Sequence, residues 1–286
     1  MKRKSNSVEV IEGGIGGIGS IGWVSSSNLG QCRKMLTAGK LDGLGIGVSL
    51  GYDFPSIDVL RDIHGLKGLW FADVKGVDIT SLHSFTQLEF LGMDRRDELI
   101  DLSEMRRLQA VFLYWSPKIK WPLDSSDLKN LRLQKFKPSS GALAELEALS
   151  ALEVLQLAQG TVKCLAGIER FPKLKELELH YLPSLESIKD VAKTPVEKIT
   201  ITHCKRLTDL DRVAGCKKLQ VLRYHDSAQL PSIAFVNDCP SLKEFRFVGV
   251  DVIDGDLTPL KRLDQFAFTQ KKHFSHTEKA LRMLGK

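Results

Sequence analysis

Three histidines recur at a regular interval and are the residues of this chain whose spacing could support metal chemistry. His180, His203 and His225 lie about 22 residues apart, and Asp226 follows the third. Imidazole and carboxylate groups are ligands of zinc, but a zinc site needs them to converge on one ion at about 2.0–2.1 Å. Side chains on neighbouring flat strands do not converge in this way. We therefore predict polar contact residues here and no metal site.

Motifs for catalysis or phosphate binding are absent from the sequence. It has no nucleophile elbow, no H-E-x-x-H, no paired C-x-x-C and no phosphate loop. Gly14-x-Gly16-x-x-Gly19 has the dinucleotide-binding spacing, but the residues that follow are poor helix formers, and the next acid, Asp42, comes too late. We predict no enzyme activity and no cofactor, and we interpret this glycine-rich segment as the start of an N-terminal cap.

The histidines belong to a longer frame that repeats along the chain. It is clearest in Val196-x-x-Ile199-x-Ile201-x-x-Cys204 and returns as Leu219-x-x-Leu222. A strand alternates its side chains between two faces, so the fourth and sixth positions of each frame point inward and the third, fifth and seventh point outward. Short apolar segments between the frames predict helical turns. The first anchors of the eleven frames are Leu41, Leu66, Leu88, Leu108, Leu128, Leu152, Leu174, Val196, Leu219, Leu242 and Leu263.

This frame resembles that of bacterial leucine-rich-repeat proteins. Cys204 followed by Leu207-Thr208-Asp209 is similar to the cysteine-containing subtype, which most other frames do not match. The resemblance implies an α/β solenoid, a right-handed horseshoe with a concave parallel β-sheet and with short helices or 3-10 turns on the convex side. It also implies a non-catalytic module that binds a protein on the concave face. We expect an N-terminal extension and cap at 1–40, about eleven repeats at 41–270 and a C-terminal capping helix at 271–286.

The outward positions of the frames predict which residues contact a partner. Large aromatic side chains and arginines are common anchors of protein interfaces. Arg223 and Arg246 fall on neighbouring strands, and like charges so placed suggest a partner with an acidic patch. The predicted partner-binding residues are Trp70, Phe112, Tyr114, Trp115, Arg132, Lys135, His180, Tyr181, His203, Arg223, His225, Asp226 and Arg246.

Composition restricts where this protein works and what it binds. The net charge is +6, and the sequence contains five cysteines and no apolar run long enough to span a membrane. We expect a soluble cytoplasmic protein with reduced thiols and no membrane partner. A narrower alternative is an immunity or antitoxin protein that neutralises a bacterial toxin. Nucleic-acid binding is a second, less favoured alternative because the positive charge is small and evenly spread.

Overall fold

The computed structural model describes residues 7–12, 19–94, 99–122 and 127–284. The chain forms two compact units, Met1–Arg132 and Leu133–Lys286. In each unit a short strand and a short return segment alternate along the chain, as in a leucine-rich-repeat solenoid. The predicted fold class is therefore confirmed.

The strands of the first unit pair in sequence order. β1 is antiparallel to β2, and the pairs from β2 to β6 are parallel. The α-helix α1 (Leu29–Thr37) connects β2 to β3, and 3-10 turns lie at Val48–Leu50, Asp58–Leu60 and Thr80–Ser84. The strands are β1 (Val10–Ile11), β2 (Ile21–Trp23), β3 (Gly43–Gly47), β4 (Gly68–Asp73), β5 (Phe90–Met93) and β6 (Ala110–Tyr114). The next strand, β7 (Asn130–Gln134), contains the boundary between the units.

Three details of the first unit bear on the sequence prediction. β2 pairs in parallel with β3, so the parallel sheet begins before Leu41, the first predicted anchor. Gly14 and Gly16 lie outside the described residues, while Gly19 precedes β2 rather than the helix that a dinucleotide site requires. Residues 102–105, predicted as a helical turn, form a non-helical turn.

The second unit continues the same alternation with a fully parallel set of strands. They are β8 (Val154–Ala158), β9 (Glu176–His180), β10 (Lys198–Thr202), β11 (Val221–His225), β12 (Glu244–Phe247) and β13 (Gln265–Phe268), paired in this order. Return segments contain the 3-10 turns Ala144–Leu146, Ile168–Arg170, Lys189–Lys193, Leu210–Gly215, Ala234–Asp238 and Thr258–Arg262. The helix α2 (Glu278–Leu284) follows β13, and the guanidinium of Arg282 lies 4.8 Å from the ring centroid of Phe266.

The fourth and sixth positions of the frame lie in the core of each unit. Leu69 and Phe71 in the first unit are fully buried, as are Ile199 and Ile201 in the second. Burying a large aliphatic or aromatic side chain contributes about 1.5–3 kcal/mol, so each repeat of the frame adds a favourable contribution to folding. The side chains between these positions are thereby directed to the opposite face, which we call the sheet face.

Left-handed residues end the strands of the second unit. Five non-glycine residues have φ between 46° and 57°, and each occupies the eighth position of its frame. The Tyr181 amide donates to the carbonyl of Thr202 and the His203 amide to that of His225, so the ladder continues by one bond before the chain turns away. These residues are Lys135, Gln159, Tyr181, His203 and Asp226. A left-handed non-glycine backbone costs roughly 1–2 kcal/mol per residue, so the surrounding repeats must enforce it.

Candidate functional site

The sheet face of the first unit is covered by aromatic rings that lie over glycines. One row of register partners runs Trp23, Gly45, Trp70, Gly92 and Phe112. A Cβ atom placed on Gly45 would overlap the indole of Trp23, and one on Gly92 would overlap the indole of Trp70. Only glycine therefore permits each indole to lie flat against the next strand.

A second row of side chains packs beneath these rings. Ile21, Phe90 and Ala110 form a buried cluster, against which Trp70 packs. The ring centroids of Trp70 and Phe90 are 6.0 Å apart, and those of Trp70 and Phe112 are 5.3 Å apart. Phe90 occupies a third, outward position of its frame, yet it is fully buried because neighbouring side chains on the sheet face cover it. Aromatic pairs of this kind contribute about 0.5–1.5 kcal/mol beyond the area they bury.

The outermost aromatic residues of this face remain partly exposed. Trp70, Phe112, Tyr114 and Trp115 are each intermediate in burial, and so is Arg132 on β7. The frame thus directs Phe112 and Arg132 away from the apolar interior, as the sequence analysis expected. We call Trp23, Trp70, Phe90 and Phe112 together the aromatic face.

The sheet face of the second unit carries charged side chains at the equivalent positions. Lys198 on β10 pairs with Glu176 on β9, and its Nζ lies 4.0 Å from Oε1 of Glu178. His180 Nε2 lies 3.4 Å from Oε2 of Glu178, and His180 Nδ1 lies 3.2 Å from Oγ1 of Thr202. The hydrogen bond from His180 is the largest influence on Glu178 and, with the charge of Lys198, lowers the pKa of that carboxyl to about 2 against the effect of burial.

Two arginines on adjacent strands share one buried carboxylate. Arg223 and Arg246 are register partners on β11 and β12. Nε of Arg223 donates to Oε1 of Glu244 at 2.9 Å, and Nε of Arg246 forms an ion pair with the same oxygen at 2.8 Å. The Glu244 side chain is only 11% exposed, whereas those of Arg223 and Arg246 are 38% and 41% exposed. We call Glu176, Glu178, Lys198, Arg223, Glu244 and Arg246 the charged face.

The remaining predicted residues lie where the strands of the second unit end. Tyr181, which is 51% exposed, stacks on His203 with ring centroids 4.3 Å apart. His225, Asp226 and Lys135 are partly exposed. Burial is the main cause of a lowered His225 pKa, with smaller contributions from Arg223 and Arg246, while Asp226 acts in the opposite direction. Within the part of the chain that the structure describes, no three His, Cys, Asp or Glu residues are placed to hold a metal ion.

Three features of these faces were missed by sequence reasoning. Gly45 and Gly92 act through the rings that they accommodate, and the alternation of Trp and Gly at one frame position was a visible signal. Phe90 was assigned to the outward set, but it is buried. Glu244 occupies the third position of its frame, and its contact with both arginines was not predicted.

Comparison with solved structures shows the same fold in bacterial proteins. An internalin from Listeria monocytogenes, InlF, matches with a TM-score of 0.52 and 15% identity, covering 86% of this chain and 74% of that chain. The functional domain of InlJ from the same organism, described as including a cysteine ladder, matches with a TM-score of 0.50 and 14% identity, covering 80% and 56%. The sequence matches no family model, and a search of curated proteins returns no match.

At these identities the likeness extends to the fold alone. The fold is that of leucine-rich-repeat proteins, with structural neighbours among the internalins. None of the helices in the described ranges is both long and apolar enough to cross a membrane.

Proposed function

We propose that this chain is a non-catalytic protein-interaction module that binds a partner protein on the concave face of its sheet. The observation that carries the proposal is the aromatic face, where the partly exposed ring of Trp70 lies against Gly92 and packs on the partly exposed ring of Phe112. A rigid aromatic surface loses little conformational entropy when a partner covers it. Tyr114, Trp115 and Arg132 beside it supply the side-chain types that dominate protein interfaces.

Photo-crosslinking tests this proposal at single positions. A photoreactive benzoyl-phenylalanine replaces Tyr114 or Arg132 on the sheet face. The matched control positions are Glu104 and Arg107, which are exposed and lie in a return segment. We expect one crosslinked protein from the two sheet-face positions, and we expect Phe112→Ser to abolish it. Equal crosslinking from the control positions, or none from the sheet face, would reject the proposal.

The narrower hypothesis, an immunity or antitoxin protein, stays a prediction. It requires that the partner is a toxin whose active surface the module covers. Co-expression with the product of the adjacent gene tests it, because neutralisation restores growth only when the aromatic face is intact. If cells carrying Phe112→Ser grow as well as those carrying the unchanged chain, the toxin-neutralising hypothesis is wrong. The proposal of a protein-interaction module would not be affected.

We also propose a cytoplasmic location, supported by the state of the cysteines. All five are free, and burial raises the pKa of Cys204 to about 11 and that of Cys216 to about 12. Such thiols stay protonated at neutral pH and react slowly. Cell fractionation combined with alkylation of the denatured protein should find the chain in the cytoplasmic fraction with five alkylated cysteines. Recovery in the culture medium would contradict this location.

A further inference from the structure

Glu244 orients the two arginines of the charged face and leaves donors available. It engages the Nε atoms of Arg223 and Arg246, and one carboxylate offsets only one of the two positive charges. Nη2 of Arg246 donates to Oε1 of Gln265 at 3.2 Å. Among the described residues, Arg223 makes its side-chain hydrogen bond through Nε, and none is made by its Nη atoms. The pair therefore keeps guanidinium donors that can reach an incoming anion.

His225 adds a further donor on the same strand as Arg223. The Val248 amide donates to Nδ1 of His225 at 3.2 Å, so Nδ1 is an acceptor and the neutral ring carries its proton on Nε2. Arg223 and His225 are two residues apart and point to the same side of β11, about 7 Å from each other along the strand. Burial is the main cause of the lowered pKa of His225, and the charge of Asp226, which raises it, opposes the smaller effects of Arg223 and Arg246.

Small side chains flank the two arginines in the same row. The register partners run Thr200, Arg223, Arg246 and Ala267 across β10 to β13. Thr200 and Ala267 are the register partners on the two outer strands, and both have small side chains. An extended segment lying across the strands could therefore reach the arginines without displacing a large neighbour.

Acidic residues near the two arginines favour the binding of a single carboxylate over the binding of a polyanion. Glu176, Glu178 and Asp226 lie on the same side of the sheet or at its strand ends, close to the arginines in register. A continuous phosphate backbone would have to pass these carboxylates and would be repelled by them. An acidic side chain that contacts only Nη atoms of Arg223 and Arg246, on the side away from Glu244, meets less of that repulsion. The arrangement thus favours a discrete anion over nucleic acid.

We propose that Arg223, Arg246 and His225 form a subsite for a carboxylate side chain from an acidic segment of the partner protein. This inference rests on the proposed function, since it names the chemistry of one part of the partner. Glutamate or aspartate accepts two parallel hydrogen bonds from a guanidinium fork and a third from the imidazole. Glu244 serves as the fixed counter-ion that sets the positions of both arginines.

A peptide titration of the full chain tests the subsite. The probe is a blocked peptide of alternating glutamate and glycine, with its glutamine counterpart as the neutral control. NMR follows the side-chain Nε–H signals of Arg223 and Arg246 and the imidazole signals of His225. We expect saturable shifts with the glutamate peptide and none with the glutamine peptide.

Charge-neutral variants separate a defined subsite from diffuse attraction. Arg223→Gln with Arg246→Gln should weaken binding about tenfold or more, because it removes charge-assisted hydrogen bonds. Lys271→Gln with Lys272→Gln removes the same charge from exposed positions outside the sheet and should change affinity less than about twofold. If the first pair fails to fold, Arg223→Lys with Arg246→Lys keeps the charge but removes the fork, and it should still weaken binding several-fold.

Three results would overturn the proposal. The first is an absence of shifts with the glutamate peptide. The second is that Lys271→Gln with Lys272→Gln weakens binding as much as the arginine variants do. The third is tighter binding of single-stranded DNA of the same charge than of the peptide. The outcome is independent of the crosslinking experiment, which probes the aromatic face with an intact partner. Peptide binding without crosslinking would support the carboxylate subsite and reject the proposed function. Crosslinking without peptide binding would support the proposed function and overturn the subsite.

Discussion

The aromatic face of the first unit and the charged face of the second use the same positions of one repeating frame. At the fifth position the first unit places Trp70, Gly92 and Phe112, whereas the second places Glu178, Thr200 and Arg223. The frame fixes the direction of these side chains in both units. The core does not constrain which residue types occupy these positions, so the two faces can present different side chains.

The two faces also differ in how they are held in place. Close packing fixes the rings of the aromatic face, because glycines allow them to touch the backbone of the next strand. Ion pairs fix the charged face, and most of its side chains keep contact with solvent. We therefore expect the first face to respond to changes of volume, and the second to changes of charge, pH and salt.

The largest expected effect comes from filling the space above Gly92. Gly92→Ala should destabilise the protein by about 1–3 kcal/mol, because the new Cβ displaces the indole of Trp70. Gly30→Ala is the matched control, since Gly30 lies in α1 with nothing near its missing Cβ, and it should be neutral or slightly stabilising. Urea unfolding measures both.

A double-mutant cycle sharpens the same prediction. With Trp70 replaced by alanine, Gly92→Ala should lose most of its cost, since the ring that it displaces is gone. An unchanged cost in that background would show that the indole does not lie on Gly92 in solution, and the description of the aromatic face would be wrong.

Loss of the shared carboxylate should have the next largest effect. Glu244→Gln should destabilise the protein by about 1–2 kcal/mol, because it removes the charge between Arg223 and Arg246 while both remain partly solvated. Glu147→Gln, at an exposed position of the same unit, is the control and should have little effect. In 1 M salt the cost of Glu244→Gln should shrink, while that of Gly92→Ala should not. Equal salt sensitivity of the two variants would contradict the account in which packing holds the aromatic face and ion pairs hold the charged face.

The smallest expected effect is a pH dependence at Glu178. The pKa of this carboxyl is lowered from 4.5 to about 2 in the folded protein. Its stabilising effect is therefore fully present above pH 4.5 and is lost as the pH falls towards 2. The stability advantage over Glu178→Gln should be about 1 kcal/mol at pH 6 after allowance for partial exposure, and it should shrink below pH 4.5. A difference that is constant across this range would contradict the assigned contact with His180.

The frame was sufficient to predict the direction of most strand residues. Leu177 and Leu179 were assigned inward and are buried, and Phe112 and Arg132 were assigned outward and are partly exposed. The alternation of inward and outward positions within each frame is enough to determine these directions. The segment boundaries at 40, 270 and 286 stay predictions, as do the partner-binding roles of the residues.

The features that were not predicted from the sequence depend on contacts with neighbouring side chains. Trp23 lies in a glycine-rich region without leucine anchors, so the start of the parallel sheet was not visible. Phe90 and Glu244 occupy outward positions, and they are buried only because Trp70 and the two arginines lie beside them. Such burial follows from side-chain contacts across strands, which the period of the frame does not encode.

Hydroxyl-radical footprinting of the chain with and without its captured partner tests the central claim most directly. The claim is that the outward positions of the frame form the binding surface. Trp121 is the internal control, because it is partly exposed like Trp115 but does not directly follow Tyr114, the last residue of β6. We predict that binding reduces oxidation of Tyr114 and Trp115 several-fold and leaves Trp121 unchanged. Protection of Trp121 with no change at Tyr114 and Trp115 would contradict the account.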